Sequence, residues 1–282
     1  MSDISTTIVI PCYNEAIRLK PLAFLQFIRK TAGVRLLLVN DGSSDATLSV
    51  LENLVATAPG RIELLDLPRN LGKAEAVRQG VLVACRGAVD FVGYWDADLA
   101  TPLTAIPGFV DVLARMPAID LVIGTRLKLK GRQIERKWQR RVLGRLFSTV
   151  ASRVLGVSLR DTQCGAKLFR VTPEMRMTFS RPFLSRWIFD VEVVSRMLDL
   201  KPGAAEALYE FPLDAWQEVD GSKLKPRDFL KAIGELARIA WTRGQFEPAL
   251  EIALSAEDLR RNVTGPVENS SRIFTANERK AA

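Results

Sequence analysis

The first 125 residues repeat one pattern of hydrophobic and polar positions: a short apolar, β-branched run ends in polar residues and is followed by a segment with helical periodicity. The apolar runs predict strands at residues 6–10, 35–39, 61–66, 89–95 and 119–123. The segments between them predict helices at about residues 15–30, 45–57, 73–85 and 103–115. Strands and helices that alternate at this spacing are typical of an α/β fold, with right-handed crossovers and a mostly parallel sheet covered by helices on both faces.

The pattern changes after residue 126. Residues 132–156 predict one long helix, because apolar residues recur there at every fourth position: Ile134, Trp138, Val142, Leu146, Val150 and Val154. Further along the chain, strands are predicted at 164–171 and 206–211, and helices at 186–199 and 226–243. The composition becomes polar beyond about residue 257, so we expect residues 257–282 to form a loose tail.

Polar and charged residues follow nearly every predicted strand of the first half. These strand exits are residues 11–15, 40–45, 69–73, 96–98 and 124–126. Parallel sheets bind ligands at the carboxyl ends of their strands, so we expect these segments to meet at one edge of the sheet and form a site. The glycine-rich fingerprints of dinucleotide-binding and P-loop proteins do not occur in the sequence, which disfavours a dehydrogenase or a P-loop kinase.

Two of these exits suggest chemistry. Asp96 and Asp98 are two residues apart and can together hold a hard divalent cation, which usually keeps water and substrate phosphate as its other ligands. The same spacing also suits a solvated turn that caps the next helix. Residues 41–45 are equally suited to a tight turn with a helix cap and to hydrogen bonds with a base or ribose. The spacing alone leaves these alternatives open.

The composition limits the chemistry that the chain can perform. None of the 282 residues is a histidine, which excludes Ser-His-Asp and Cys-His acyl transfer as well as histidine-ligated zinc or haem. Acid–base work therefore falls to carboxylates, lysine, tyrosine or the substrate. Three scattered cysteines favour a reducing compartment over a disulfide framework. The sequence suggests neither a signal peptide nor an apolar run of the length that spans a membrane.

The net charge of +8 is concentrated in one segment. Residues 126–160 contain eleven Lys and Arg residues and one acid, Glu135, so this segment alone carries +10 and the rest of the chain sums to −2. A basic helix with an apolar stripe suits a position on an anionic bilayer. A surface helix that packs its apolar stripe on the core and exposes its basic face to solvent has the same pattern.

Several runs of the sequence resemble a known family. The runs IVIPCYNEAIRL, LLVNDGSSDAT, RNLGKAEAVRQG and WDADLATP are similar to the nucleotide-sugar-binding half of family 2 glycosyltransferases of the GT-A fold. The runs DTQCGAKLFR, RWIFDVEVV and WQEVDGSKL resemble the branch that glucosylates dolichyl or polyprenyl phosphate. The resemblance spans about residues 5–245. It implies a catalytic domain over residues 1–256, with a nucleotide-sugar-binding half (1–125) and an acceptor-binding half with a basic interfacial helix (126–256).

The resemblance also implies roles for individual residues. The nucleotide pocket would be lined by Pro11, Tyr13, Glu15, Asp41 and Asp96, with Lys73 near the ribose or the phosphates. Asp96 and Asp98 would bind a magnesium or manganese ion. On the acceptor side, Arg126 and Arg140 would bind a phosphate, Asp161 would lie beside the anomeric carbon, and Gln163 and Lys223 would belong to loops around the acceptor and the diphosphate. Two positions depart from relatives: Asn40 replaces a common Asp, and Ala100 stands where mannosyltransferases have Gln.

The implied reaction is the attack of an acceptor phosphate oxygen on the anomeric carbon of a UDP-sugar, most simply UDP-glucose, with inversion. A phosphate monoester is already ionised at neutral pH and needs no general base, which agrees with the absence of histidine. The expected partners are a UDP-sugar, a polyprenyl phosphate and an anionic membrane surface, with no nucleic acid. The expected location is cytoplasmic and peripheral, at the inner face of the membrane.

Two other functions are compatible with the sequence. One is a soluble transferase of the same fold that acts on a hydroxyl acceptor, with Asp161 or Asp190 as the general base. The other is a basic nucleic-acid-binding protein, which the isoelectric point of about 9.6 suggests. The clustering of the positive charge in one segment, without a known nucleic-acid-binding motif, counts against the second.

Overall fold

The structure is a computed structural model that describes residues 4–127, 130–135, 138–218 and 226–249, with only the backbone of residues 139, 140 and 226–230. Its strands are β1 (Thr6–Cys12), β2 (Val34–Asp41), β3 (Ile62–Leu67), β4 (Phe91–Trp95), β5 (Leu121–Thr125), β6 (Gln133–Glu135), β7 (Ala166–Arg170), β8 (Leu208–Pro212) and β9 (Ala215–Gln217). Its α-helices are α1 (Pro21–Lys30), α2 (Thr47–Thr57), α3 (Lys73–Ala84), α4 (Ile106–Arg115), α5 (Trp138–Leu155), α6 (Pro173–Thr178), α7 (Phe189–Leu200) and α8 (Pro226–Thr242).

Seven strands form one sheet in the order β3-β2-β1-β4-β7-β5-β8. All neighbouring pairs in it are parallel except those of β7, which runs antiparallel between β4 and β5. This confirms the predicted α/β architecture with a mostly parallel sheet. Strands β6 and β9 form a separate parallel pair.

Apolar side chains cover both faces of the large sheet. Along β1, Val9 belongs to the core cluster on one face, whereas Ile8 and Ile10 belong to the cluster on the other. The alternation follows from the period of two in a strand. On α3, a Cβ at Gly80 would lie 2.4 Å from a methyl carbon of Val9, so this glycine lets the helix approach the sheet closely.

The orientation of β7 determines where the site is built. Because β7 runs against its neighbours, its first residue lies at the edge where the parallel strands end, and Ala166 pairs there with Trp95. Residues 161–165, which precede β7, therefore reach the same edge as Asp96, which follows β4. The topology thus brings the acceptor-side motif and the D-x-D pair together, although 60 or more residues separate them in the chain.

Two predicted helices need correction, and two elements were missed. The helix expected over 132–156 begins only at Trp138, because Ile134 lies in β6 and pairs with Trp216 of β9. The helix expected over 15–30 begins at Pro21, and the residues before it form a loop at the strand ends. Helix α6 and strand β9 were not predicted. The expected tail, residues 257–282, lies outside the described residues.

Helix α5 has apolar residues on two opposite faces. Phe147, Ala151 and Leu155 are buried in the core. Four residues of the predicted apolar stripe point the other way: Trp138, Val142, Leu146 and Val150 are 43–66% exposed. Val154, at the end of the stripe, packs against the core. Most of the stripe is therefore not the surface that packs α5 on the protein. No helix in the described ranges combines the length and apolarity needed to cross a bilayer.

Candidate active site

The turn after β4 places Asp96 and Asp98 at the edge of the sheet. Trp95 is fully buried and its indole Nε1 donates to the Thr101 carbonyl at 2.9 Å, which ties the end of this turn to the strand. Leu99 has a φ of 55°, a left-handed conformation that costs a non-glycine residue about 1–2 kcal/mol. Its strain is offset by hydrogen bonds, including one from the Ala100 amide to Asp98 Oδ1 at 3.0 Å.

Gly165 makes room for the Asp96 carboxylate. A Cβ built at Gly165 would lie 1.9 Å from Asp96 Oδ2, a distance that no side chain can tolerate. The carboxylate therefore rests against the backbone of the segment before β7. Sequence analysis did not assign a role to Gly165, and the only signal was a glycine near the start of the strand predicted over 164–171.

Lys73, the first residue of α3, joins the carboxylate cluster. Its Nζ lies 2.5 Å from Asp96 Oδ1. Desolvation alone would lower the pKa of Lys73, but the neighbouring carboxylates, Asp96 above all, outweigh that effect and raise it. Burial, together with repulsion from Asp96, raises the pKa of Asp98. The cluster thus holds an always-charged lysine beside two carboxylates that repel each other.

This pair of carboxylates fits a hard divalent cation. Such an ion would remove the mutual repulsion that raises the pKa of Asp98. Among the described residues there is no group of three or more acidic or cysteine side chains placed to hold a metal alone. The chain therefore offers two carboxylates, and a cation bound there would need further oxygen ligands from water or from a phosphate-bearing substrate.

On the nucleotide side, Asp41 at the end of β2 is only 2% exposed. Its carboxylate accepts hydrogen bonds from the amides of Leu71 and Gly72, at 2.7 and 2.9 Å, and from Asn70 Nδ2 at 3.1 Å. Burial raises the pKa of Asp41, and the two amides act in the opposite direction. Asp41 thus anchors the loop that leads into Lys73.

The departure at Asn40 has a structural reason. Its Nδ2 donates to Asp66 Oδ1 at 2.7 Å, and its Oδ1 accepts from the Ser43 amide at 3.3 Å. An aspartate at position 40 would set two carboxylates against each other. Asn40 therefore joins β2 to β3 where the two strands end.

Residues 11–15 and 40–47 form one connected rim. Asn14, with a φ of 52°, accepts a hydrogen bond from the Ser44 amide at 2.9 Å. The Glu15 amide donates to Thr47 Oγ1 at 2.8 Å, and its side chain forms an ion pair with Arg18. Pro11 is the last but one residue of β1, and Tyr13, which follows the strand, is 37% exposed. The residues predicted to line the nucleotide pocket therefore share one edge.

The predicted acceptor side contains the pair Arg126 and Asp161. Arg126 Nε and Nη2 bind the two oxygens of Asp161 at 2.6 and 2.7 Å, and the Arg126 amide donates to Asp161 Oδ2 at 3.1 Å. The side chains of Arg126 and Asp161 are only 11% and 8% exposed, and the Trp216 ring lies 5.2 Å from the guanidinium. Their charges cancel, so the pair forms a neutral, rigid unit beside the D-x-D turn.

Two polar atoms of the same loop find no partner among the described residues. These are the buried Nε2 of Gln163 and Oγ1 of Thr162. A buried donor without a partner is costly in the ligand-free protein, and a bound oxygen atom would satisfy it. Of the other predicted acceptor residues, Arg140 lies in α5 but only its backbone is described, and Lys223 lies outside the described residues.

The carboxylates of α7 are engaged in buried ion pairs. Asp190 Oδ1 accepts from Tyr94 Oη at 2.5 Å and binds Lys167 Nζ, whose side chain is fully buried. Glu192 binds Arg196 Nη2 at 2.7 Å. Burial and the charge of Asp190 raise the pKa of Tyr94, so its hydroxyl keeps the proton that it donates. Asp190 is therefore a structural ion-pair partner and is poorly placed to act as the base of a hydroxyl acceptor.

Arg186 is a further cation that the sequence analysis missed. A Cβ built at Gly72, whose φ is 93°, would lie 3.4 Å from Arg186 Nη2. Its charge also lowers the pKa of Asp41 against the effect of burial. No spacing rule connects Arg186 with this loop, because the contact forms only when the segment before α7 folds over α3.

The fold and the site define a glycosyltransferase of the GT-A class. The family profile described as glycosyl transferase family 2 matches residues 7–177, and the chain belongs to this family. It is 31% identical over 252 residues to dolichyl-phosphate beta-glucosyltransferase ALG5C of Trichomonas vaginalis, covering 85% of this chain and 72% of the relative. It is 32% identical over 260 residues to the Drosophila melanogaster dolichyl-phosphate beta-glucosyltransferase, covering 86% and 76%.

Solved structures support the same fold. Glucosyl-3-phosphoglycerate synthase from Mycobacterium tuberculosis, in complex with Mn2+, UDP and glucosyl-3-phosphoglycerate, superimposes with a TM-score of 0.61 at 18% identity, covering 87% of this chain and 82% of that one. The same enzyme with Mn2+, UDP-glucose and phosphoglyceric acid gives 0.61 at 19% identity, with coverages of 84% and 80%. At this level of identity the similarity establishes the fold.

Proposed function

We propose that this glycosyltransferase moves glucose from UDP-glucose to a polyprenyl phosphate, with inversion and with the help of a divalent cation. One observation carries the choice of acceptor: Asp161, Asp190 and Glu192 are each paired with a cation that is at most 11% exposed. The nearby Glu210 accepts hydrogen bonds from the amides of Arg160 and Asp161. A hydroxyl acceptor needs a base that can take up a proton. A phosphate acceptor arrives ionised and needs only positioning and charge stabilisation.

The proposed donor and acceptor agree with the relatives. The curated relatives are named dolichyl-phosphate beta-glucosyltransferases, and the M. tuberculosis structure holds UDP-glucose with Mn2+. In this chain, Asp96 and Asp98 would hold the cation, which would neutralise the leaving diphosphate. Lys73 would add a fixed positive charge beside it. Pro11, Tyr13, Glu15 and Asp41 would frame the nucleotide, and Gln163 Nε2 would donate to a substrate oxygen.

Arg126 and Asp161 have a combined role in this proposal. The neutral pair would orient the acceptor beside the anomeric carbon, with Asp161 facing the positive charge that develops on the sugar. Arg140 and Lys223 remain predicted contacts of the acceptor phosphate and the diphosphate. The acceptor phosphate is an anion and needs positive charge around it. Arg126 does not supply net positive charge, because Asp161 neutralises it.

A panel of donors and acceptors tests the proposal. The purified protein, with Mn2+, is incubated with UDP-glucose, UDP-N-acetylglucosamine or GDP-mannose and with farnesyl phosphate or farnesol. We expect a hexosyl phospholipid, identified by mass, from UDP-glucose and farnesyl phosphate alone. Faster transfer to farnesol or to short soluble alcohols would contradict the phosphate acceptor and favour the hydroxyl-acceptor alternative.

We further propose that the exposed face of α5 rests on an anionic membrane. Trp138, Val142, Leu146 and Val150 form a stripe along this face, and all four are at least 43% exposed. Arg141, Arg145 and Arg153 lie on the same helix. Apolar side chains that enter the interface, together with arginines that attract anionic lipids, are the features of a helix lying in the membrane plane.

Replacing Leu146 and Val150 by serine is expected to weaken vesicle binding about tenfold or more, because each apolar side chain that leaves the interface gives up roughly 1.5–3 kcal/mol. Vesicle binding is measured by co-sedimentation with vesicles of phosphatidylcholine and phosphatidylglycerol at a ratio of about 7:3. The matched control is Leu22→Ser with Met116→Ser, two exposed apolar residues away from α5. Equal binding by the α5 variant and the control would disprove the membrane contact.

A further inference from the structure

A cleft of about 710 Å³ lies between α5 and the loop of residues 156–160. Leu127, which follows Arg126, and Arg160, which precedes Asp161, both belong to its wall. The cleft therefore begins where the Arg126–Asp161 pair ends. The sequence analysis counted the arginines of this cleft only as part of the basic segment 126–160 and assigned them no individual ligand.

Three arginines line this cleft: Arg145 and Arg153 from α5 and Arg160 from the loop. Within the described part of the chain, the guanidinium groups of these three arginines form neither an ion pair nor a hydrogen bond. They differ in this from Arg126, whose charge is cancelled by Asp161. The cleft thus concentrates positive charge next to a pair that is neutral. Only for Arg160 do the described residues include a nearby carboxylate, Glu210, whose pKa the arginine lowers.

The walls of the cleft are held in place. Ser152 Oγ donates to the Leu159 carbonyl and accepts from the Leu159 amide, both at 3.0 Å. Ser148 Oγ accepts from the Thr162 amide at 3.4 Å, which links α5 to the loop that carries Asp161. The spacing between the helix and the loop is therefore set before any ligand arrives, and a preformed site loses less entropy on binding.

The cleft also borders the exposed apolar face of α5. Leu146 and Val150 each follow a cleft residue in the helix, Arg145 and Thr149, and they are 55% and 43% exposed. Residues one apart in a helix are 100° apart around its axis, so the cationic wall and the apolar stripe are adjacent strips of one surface. A ligand that fits both strips has a compact anion at one end and a hydrocarbon chain at the other.

We infer that this cleft binds the phosphate of a lipid, with Arg145, Arg153 and Arg160 around the phosphate and the chain along Leu146 and Val150. The inference deepens the proposed function and rests on it for the identity of the lipid: the acceptor phosphate would bind here, beside the Arg126–Asp161 unit. A phosphate headgroup from the surrounding bilayer has the same chemistry, and the experiment separates the two sources.

The test compares the triple variant Arg145→Gln, Arg153→Gln, Arg160→Gln with the unmodified chain. Titration calorimetry with farnesyl phosphate and farnesol, without donor, measures binding directly. We expect the unmodified chain to prefer the phosphate at least about tenfold and the variant to lose this preference, because charge-assisted hydrogen bonds disappear. The control variant Arg29→Gln, Lys30→Gln, Arg86→Gln removes the same charge from exposed residues at the ends of α1 and α3.

Steady-state kinetics and vesicle binding then identify the lipid. A rise in KM for farnesyl phosphate, with KM for UDP-glucose unchanged, identifies the acceptor; a loss confined to phosphatidylglycerol vesicles identifies a bilayer headgroup. Equal phosphate preference in the cleft and control variants, with equal vesicle binding, would overturn the inference. If the unmodified chain makes no glycolipid but the cleft variant still loses farnesyl phosphate binding, the proposed function fails and the lipid-phosphate site stands.

Discussion

Replacing Asp98 by alanine is expected to lower kcat/KM for glucosyl transfer about a thousandfold or more. Asp98 is partly buried beside Asp96, and burial together with the charge of Asp96 raises its pKa. A cation bound between the two carboxylates would offset both effects. A cation bound by the two carboxylates supplies several kcal/mol of charge stabilisation on the leaving diphosphate, and each 1.36 kcal/mol is a factor of ten in rate. Lys73 alone cannot replace it, because its charge is already paired with Asp96.

Initial rates of UDP release at several Mn2+ concentrations, for the unmodified chain, Asp98→Ala and Asp98→Asn, measure this effect. Binding of Mn2+ in the presence of UDP, followed by the electron paramagnetic resonance signal of the free ion, gives a readout that is independent of turnover. Asp111→Ala is the matched control, because Asp111 is an exposed aspartate on α4 paired only with Arg115. If Asp98→Ala turns over at more than a tenth of the unmodified rate, Asp98 is not a metal ligand that the reaction needs.

The strands of the first half were predictable because each one is an apolar run bounded by turn residues. β1, β2, β3, β4 and β5 all lie within three residues of their predicted bounds. Their exits converge on one edge because parallel strands end together, so the grouping of Asp41, Lys73 and Asp96 followed from topology. This part of the site depends on local pattern and on a general rule of sheet architecture.

The acceptor side was less predictable, because its contacts are made between distant segments. The pairing of Arg126 with Asp161 and the contact of Arg186 with Gly72 depend on how β7 and α7 fold against the first half. The periodicity of residues 132–156 was also ambiguous. A four-residue repeat predicts an apolar face of a helix, but it does not determine whether that face packs on the core. In α5 most of the predicted face points outward.

Replacing Lys167 by methionine is expected to destabilise the protein by about 3–5 kcal/mol, because it leaves the buried Asp190 without its counterion. Lys167 Nζ also donates to the Cys164 carbonyl at 2.8 Å and to the Thr162 carbonyl at 3.4 Å. The lysine therefore connects α7 and β4 to the loop that carries Asp161. Thermal unfolding followed by circular dichroism measures the loss of stability. The control is Tyr94→Phe, which removes only one hydrogen bond to Asp190 and is expected to lower the stability by about 1 kcal/mol.

The double variant Lys167→Met, Asp190→Asn separates stability from positioning. Neutralising Asp190 removes the unpaired buried charge, so we expect most of the lost stability to return. The carbonyls of residues 162 and 164 still lack their hydrogen-bond donor, so the loop beside Asp161 and Gly165 is no longer held in place. Because misplaced groups near the reacting atoms slow the reaction, kcat is expected to stay at least about tenfold below that of the unmodified chain. A double variant with restored stability and full kcat would show that Lys167 serves only the ion pair. Recovery of stability without recovery of kcat would identify Lys167 as the residue that positions the acceptor-side loop against the D-x-D turn.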